Sequence, residues 1–156
     1  MEPVRIFLAD LTYDTISLST EAFPLNIGYI SSYCVNQFGS AVNITLFKYI
    51  EDLETALLQS PPDILGLSNY AWNHRIDLEM FRIFKQKNPH GVTVWGGPNF
   101  PLDVESQKKF MADYPEVDIY VPVEGEIGFS NAVERILDAK SKDSMSVIFG
   151  SPIEGC

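Results

Sequence analysis

A chain of 156 residues with 46% hydrophobic and 12% aromatic residues amounts to one domain and can bury a real core. Its net charge of −10 argues against nucleic acid and against anionic membrane surfaces, both of which need basic patches. No apolar run approaches transmembrane length and no signal peptide opens the chain, and Cys34 and Cys156 form no close pair, so a reducing cytoplasm is expected.

The predicted elements alternate strand and helix. "VRIFLAD" (4–10) is a short β-rich run. In 24–39, Pro24 is placed to start a helix and Gly39 to end it, with Ile27, Ile30, Cys34 and Phe38 on one face. The second strand is 41–49, rich in residues that strands favour. A short helix over 50–59 carries Ile50, Leu53 and Leu57 along one stripe, and a third strand covers 61–69. The third helix, 74–89, has Asn73 as its expected N-cap and Asn88-Pro89 as its stop. Strand four is "VTVW" (92–95). Asp103 is expected to cap a helix over 104–113, and "VDIYVPV" (117–123) is the fifth strand. A last helix, 126–139, places Phe129, Ala132, Val133, Ile136 and Leu137 on one face. One more apolar run, 145–149, lies in the tail.

Five strand–helix repeats with near-continuous apolar strands predict an α/β fold, an open five-stranded parallel sheet with helices on both faces. Short connections favour the flavodoxin-like three-layer sandwich over the Rossmann order. In such sheets ligands sit outside the carboxyl ends of the strands. Function is therefore expected in the loops at 10–23, 68–73, 96–102 and 123–126.

Those loops have distinct chemistry. The first is long and rich in Ser and Thr, as functional or irregular loops are. After the third strand, "SNYAWN" puts Tyr70 and Trp72 where a flat ligand would meet them, although both could simply cover the sheet end. Gly66 inside that strand either relieves a bulge or admits a close approach to the backbone. Gly96 and Gly97 carry two readings: a tight turn needing φ > 0, or bare backbone facing a bulky ligand, in which case Gly97→Leu would spare the fold and abolish binding. Glu124 and Glu126 stand near a helix N-terminus, where carboxylates are favoured.

Other chemistries lack their signatures. There is no GxGxxG after the first strand, no GxxxxGK[ST] and no GxSxG. His74 and His90 are not spaced as a metal pair, and two cysteines alone hold neither zinc nor a cluster. The residues describe a binder more than a catalyst.

Read in order, "PLNIGYISSY", "DILGLSNYAWN", "VTVWGGPNFP" and "VDIYVPVEGE" resemble the N-terminal cobalamin-binding domain of radical S-adenosylmethionine enzymes. The resemblance spans residues 4–138. It implies a cobalamin site with no catalytic side chain and no protein ligand to the metal. Ser68, Asn69, Tyr70, Trp72 and Asn73 would line it from the third strand, and Gly66 would admit the nucleotide tail beside Gly97. Gly96, Gly97 and Pro98 would line it from the fourth, Glu124 and Gly125 from the fifth, and Leu11, Thr12 and Tyr13 would approach the corrin from the first. Mutases and methionine synthases place D-x-H-x-x-G after the first strand. Here Asp10-Leu11-Thr12-Tyr13-Asp14-Thr15 puts threonine in place of the cobalt-ligating histidine, so the cobalt would have no protein imidazole below it. Asn26 stands where the family has glycine, which narrows the site.

The family's CxxxCxxC segment is not in this sequence. The resemblance therefore implies a binding domain over 1–140, with 141–156 starting a linker to a downstream radical S-adenosylmethionine domain. That domain would be the partner, and S-adenosylmethionine and a 4Fe-4S cluster would belong to it. The parent enzyme is expected to be a methyltransferase. Two other readings fit the same elements: a flavodoxin-like interaction module that binds no corrin, and a flavin or nucleotide binder.

Overall fold

A computed structural model describes residues 2–13, 24–141 and 148–156. It shows β1 (Val4–Thr12), α1 (Leu25–Phe38), β2 (Val42–Tyr49), α2 (Ile50–Gln59), β3 (Ile64–Ser68), α3 (His74–Lys87), β4 (Val92–Gly96), α4 (Val104–Asp113), β5 (Ile119–Val121) and α5 (Gly125–Ser141). The sheet order is β2-β1-β3-β4-β5 with every pairing parallel. This is the expected flavodoxin-like arrangement, in which the chain reverses its direction of winding at β1 and β3.

Strand alternation splits the interior into two cores. Val4, Ile6, Leu8, Ile64, Val92, Val94, Ile119 and Val121 face α1 and α5, where Ile27, Cys34, Phe129, Val133 and Ile136 meet them. Phe7, Ala9, Leu11, Leu65, Leu67 and Trp95 face α2 and α3, with Leu53, Leu57, Phe81 and Phe84 against them and Phe110 of α4 at the margin. Burial on both faces is what made the central strands read as continuous apolar runs.

Local chemistry explains two of the helix ends. The Asp103 carboxylate accepts the Ser106 N–H at 2.9 Å and caps α4 as expected. Gly39 follows α1 with φ +53, a conformation that glycine adopts without strain. Asn73 corrects the sequence reading. It occupies the position before α3 but does not cap it. Its amide turns back instead, accepting the Tyr70 N–H and donating to the Ser68 carbonyl, both at 2.8 Å. The competing demand is the tight loop after β3, whose backbone groups are buried and need partners.

Of the apolar run predicted at 145–149, residues 145–147 lie outside the described residues, while Ile148 is fully buried. Residues 148–156 lie against α5. Asn131 donates to the Glu154 carbonyl at 3.0 Å, Arg135 to the Ser151 hydroxyl at 2.8 Å, and the Cys156 thiol to the Gly128 carbonyl at 3.3 Å. Among the described residues, no helix is long and apolar enough to cross a membrane.

Candidate functional site

The α1/α5 face of the sheet thins out at its carboxyl edge. Register places Leu8, Gly66 and Val94 in one row across β1, β3 and β4, and Ser68, Gly96 and Val121 in the next row across β3, β4 and β5. Two glycines and a serine in these rows leave a cleft of about 410 Å³ between the sheet, the first turns of α1 and the start of α5. Its walls are mostly apolar, as in sites for small molecules and cofactors of this size.

The glycines do different work. A Cβ on Gly66 would lie 2.7 Å from Leu8 Cδ2 and 3.0 Å from the Phe129 ring, so this glycine lets the protein's own side chains close over β3. A Cβ on Gly96 would meet only Val121, at 3.4 Å from its carbonyl oxygen, so internal packing does not require glycine there. Gly97 has φ +128, and a Cβ would stand 2.8 Å from the Asn69 carbonyl oxygen. The two sequence readings of this pair thus divide between the residues: Gly97 makes the turn, and Gly96 leaves bare floor. Gly97→Leu would be strained whatever the ligand, which corrects its use as a clean test of binding.

Seven of the residues expected at a site meet in this cleft: Gly66, Ser68, Tyr70, Gly96, Gly97, Pro98 and Gly125. The others are elsewhere. Leu11 points into the opposite core, because the strand alternation continues past Asp10. Thr12 pairs with Tyr49 of the edge strand β2. Tyr13 and Trp72 border a second, more open hollow of about 470 Å³ with Ala71, His74, Arg75 and Asn99. Trp72 is 59% exposed and stacks on Tyr70 at 4.5 Å, so the pair bridges the two concavities. Glu124 is exposed, while Glu126 borders the cleft. Asp14 and Thr15 of the first loop lie outside the described residues.

Asn69 and Asn73 are fully buried and hold loops together. The Asn69 amide donates to the Asn99 carbonyl and to the Tyr120 hydroxyl at 3.1 Å, and its carbonyl oxygen accepts from Asn99 at 3.1 Å. His74 Nδ1 lies 3.2 Å from that same oxygen, with its ring over Trp95, and burial together with Arg75 lowers its pKa. Below them the Trp95 indole donates to Asp77 at 2.8 Å. The other Asp77 oxygen has no partner among the described residues, and burial pushes this carboxyl up to about 8.

Sequence reasoning missed the cleft's apolar walls, Ile27, Ile30, Val94, Val121 and Phe129, because each also reads as ordinary core. It also read Asn26 only as an obstruction. The Asn26 amide donates to the Ser68 hydroxyl oxygen at 2.9 Å and its carbonyl accepts the Ile27 N–H at 2.8 Å. Asp10, two residues before the end of β1, is raised by burial, and a hydrogen bond from Asn26 partly offsets that. No group of three or more His, Cys, Asp or Glu side chains is placed to hold a metal ion among the described residues.

No family model matches the chain. It is 38% identical over 78 residues to a 2-(S-pantetheinyl)-carbapenam-3-carboxylate methyltransferase of Streptantibioticus cattleyicolor, a stretch covering 49% of this chain and 11% of that protein. It is 35% identical over 68 residues to the cobalamin-dependent radical SAM methyltransferase TokK of Streptomyces tokunonensis, covering 44% of this chain and 10% of that protein. The matched part is thus about a tenth of either relative. Among solved structures, the cobalamin-dependent S-adenosylmethionine radical enzyme OxsB with aqua-cobalamin bound superposes with TM-score 0.63 at 19% identity, over 91% of this chain and 19% of that one. The DrrB receiver domain superposes with TM-score 0.58, also at 19% identity, over 87% of this chain and 98% of that one. At such identities the structures speak for the fold alone.

Proposed function

We propose that this chain is a cobalamin-binding domain of a longer radical S-adenosylmethionine enzyme, a methyltransferase. The observation that carries the reading is the cleft itself, which opens at the carboxyl edge of a flavodoxin-like sheet over a glycine, Gly96, that the protein's own packing does not require. The partial identity to two methyltransferases supports it independently.

The residues present fit such a group. Gly96 and Val94 form a floor on which a flat tail can lie, Ile27, Ile30 and Phe129 are among its apolar walls, and the Ser68 hydroxyl supplies a polar contact. Tyr70, Gly97, Pro98 and Gly125 also line the cleft and would meet the cofactor there. Position 12 is a threonine in a strand pairing, so the cobalt would have no protein imidazole from the first strand. When bound, cobalamin supplies methyl-carrier chemistry. This chain binds and orients the cofactor and keeps water from its tail. S-adenosylmethionine and the 4Fe-4S cluster belong to a downstream domain, to which the chain leads on after residues 148–156, themselves packed on α5. Two free cysteines suit a reducing cytoplasm.

Hydroxocobalamin mixed with the chain and passed through a desalting column tests the reading. The protein fraction is expected to keep a corrin absorption spectrum at one equivalent. A colourless fraction would leave a module without a corrin.

A further inference from the structure

Residues 148–156 run back along α5, antiparallel to it. Arg135 donates to the Ser151 hydroxyl at 2.8 Å and to the Ser151 and Pro152 carbonyls at 3.3 Å, Asn131 donates to the Glu154 carbonyl at 3.0 Å, and the Cys156 thiol meets the Gly128 carbonyl at 3.3 Å. The segment thus climbs from the middle of the helix to its first turn, at the carboxyl edge of the sheet. On its inner side Ile148 is fully buried and Ile153 packs against the α1/α5 core. The uppermost contact is backbone on backbone. A Cβ on Gly155 would lie 3.0 Å from Gly128 Cα, and one on Gly128 would meet the Gly155 carbonyl oxygen at 2.7 Å and Val121 Cγ1 at 2.6 Å. Val121 is a wall of the cleft, so a single glycine separates that wall from residues 148–156. The start of α5 also gives Gly125, Glu126 and Phe129 to the cleft. It is the part of the helix least able to stand alone. Its first N–H groups have no acceptor within the helix, and two of its first four residues, Gly125 and Gly128, are glycine, which supports a helix less than any residue but proline.

We infer that residues 148–156 are a strap on the cleft. Docked on α5, the strap holds the first turn of that helix in the shape that receives the cofactor, so cofactor binding and strap docking favour each other. This rests on the cobalamin reading and adds a means of regulating it, because whatever draws the strap off α5 also weakens the hold on the cofactor. Since the coupling passes through one helical turn, it belongs at the low end of the usual range, about fivefold. Linkage makes it reciprocal: releasing the strap lowers cobalamin affinity by the same factor by which filling the cleft disfavours release of the strap.

Two measurements on the 156-residue chain test this, with methylcobalamin in the dark as the probe. The first is hydrogen exchange at the Cys156 amide, whose N–H is held by the Ile153 carbonyl at 3.1 Å. Exchange is expected to slow about fivefold as the cleft fills and then to level off, because a local opening is disfavoured only by the coupling. The second is the dissociation constant of a double variant, Asn131→Ala with Arg135→Ala. Neither residue lines the cleft, and alanine supports a helix, so α5 itself is not weakened. This variant is expected to exchange faster at Cys156 and to bind methylcobalamin about fivefold more weakly, with unchanged circular dichroism. Should the remaining contacts still hold the strap, Ile153→Asp releases it by setting a charge against the α1/α5 core. Unchanged affinity in a variant whose Cys156 amide exchanges faster would overturn the strap while leaving the cobalamin reading intact. So would exchange in the unaltered chain that ignores methylcobalamin, or that goes on slowing in proportion to its concentration, the mark of a segment released only by global unfolding. Failure of the unaltered chain to bind methylcobalamin would overturn both.

Discussion

Gly96→Leu separates ligand space from turn geometry. Gly96 keeps ordinary strand backbone, and its new Cβ would lie 3.4 Å from the Val121 carbonyl oxygen, a contact relieved by a shift of a few tenths of an ångström. A larger residue also removes the entropic penalty of a strand glycine, so the two effects nearly cancel and stability should change by less than about 1 kcal/mol. The side chain would stand on the row of Ser68, Gly96 and Val121, in the path of any flat group lying there. Lifting such a group off roughly 100 Å² of floor forfeits about 2.5 kcal/mol at about 25 cal/mol per Å². That is a loss of nearly two orders of magnitude in affinity. Cobalamin titration followed by absorbance and urea unfolding followed by circular dichroism would be run on the same preparation. Gly97→Ala is the contrast. At φ +128, with Asn69 in the way, it should lose about 1–3 kcal/mol of stability through backbone strain. Undiminished cobalamin affinity in folded Gly96→Leu would refute the placement of the ligand on this floor.

Three other outcomes follow from the packing. The Asp77 carboxyl rises from its usual 3.8 to about 8, so the folded state holds a proton that the unfolded state releases between those values; its contribution is therefore full below about pH 4 and is lost as pH rises through about 8, and Asp77→Asn should flatten that fall in urea midpoints measured from pH 5 to 8. Asn73→Ala removes the partners of the Tyr70 N–H and the Ser68 carbonyl, and should cost about 2–4 kcal/mol in denaturant unfolding, against little change if the side chain were only a helix cap lying outside its bonding geometry. Gly128→Ala puts a Cβ 2.6 Å from Val121 Cγ1 and 2.7 Å from the Gly155 carbonyl oxygen, so it should loosen residues 148–156 and speed labelling of the Cys156 thiol; Cys34, buried and pushed up to about 12, should stay silent, and an unchanged labelling rate would mean that the tail is not held there.

The layer arrangement was legible because two-faced burial leaves a direct mark: Ile64 to Leu67 has no polar side chain and Val92 to Trp95 only Thr93, with helical stripes between them. The cleft was half legible. Missing side chains show in a sequence, so Gly96 could be read as open floor, but the letters do not tell that Gly66 makes room for Leu8 and Phe129 instead. The direction of a polar side chain in a loop does not show. Asn69, Asn73 and Trp72 sit within five residues of one another; the first two turn inward to satisfy buried backbone and the third turns out to solvent. Leu11 was misplaced for a similar reason, since β1 runs two residues past the expected end and its alternation carries Leu11 to the far core. The opposite behaviour of Gly96 and Gly97 depends on a backbone angle and on the Asn69 carbonyl, and neighbouring letters carry neither.

The central claim is that cobalamin lies in the cleft between α1, α5 and the ends of β3, β4 and β5. Amide shifts of the ¹⁵N-labelled chain on addition of cobalamin locate the ligand directly. The account predicts saturable shifts at Gly66, Ser68, Gly96, Gly97 and Gly125 and at Asn26, Ile27 and Ile30, residues that bound the cleft, with little change along β2 and α2. Shifts confined to Trp72, His74, Arg75 and Asn99 around the second hollow, or none at all at saturating cobalamin, would contradict it.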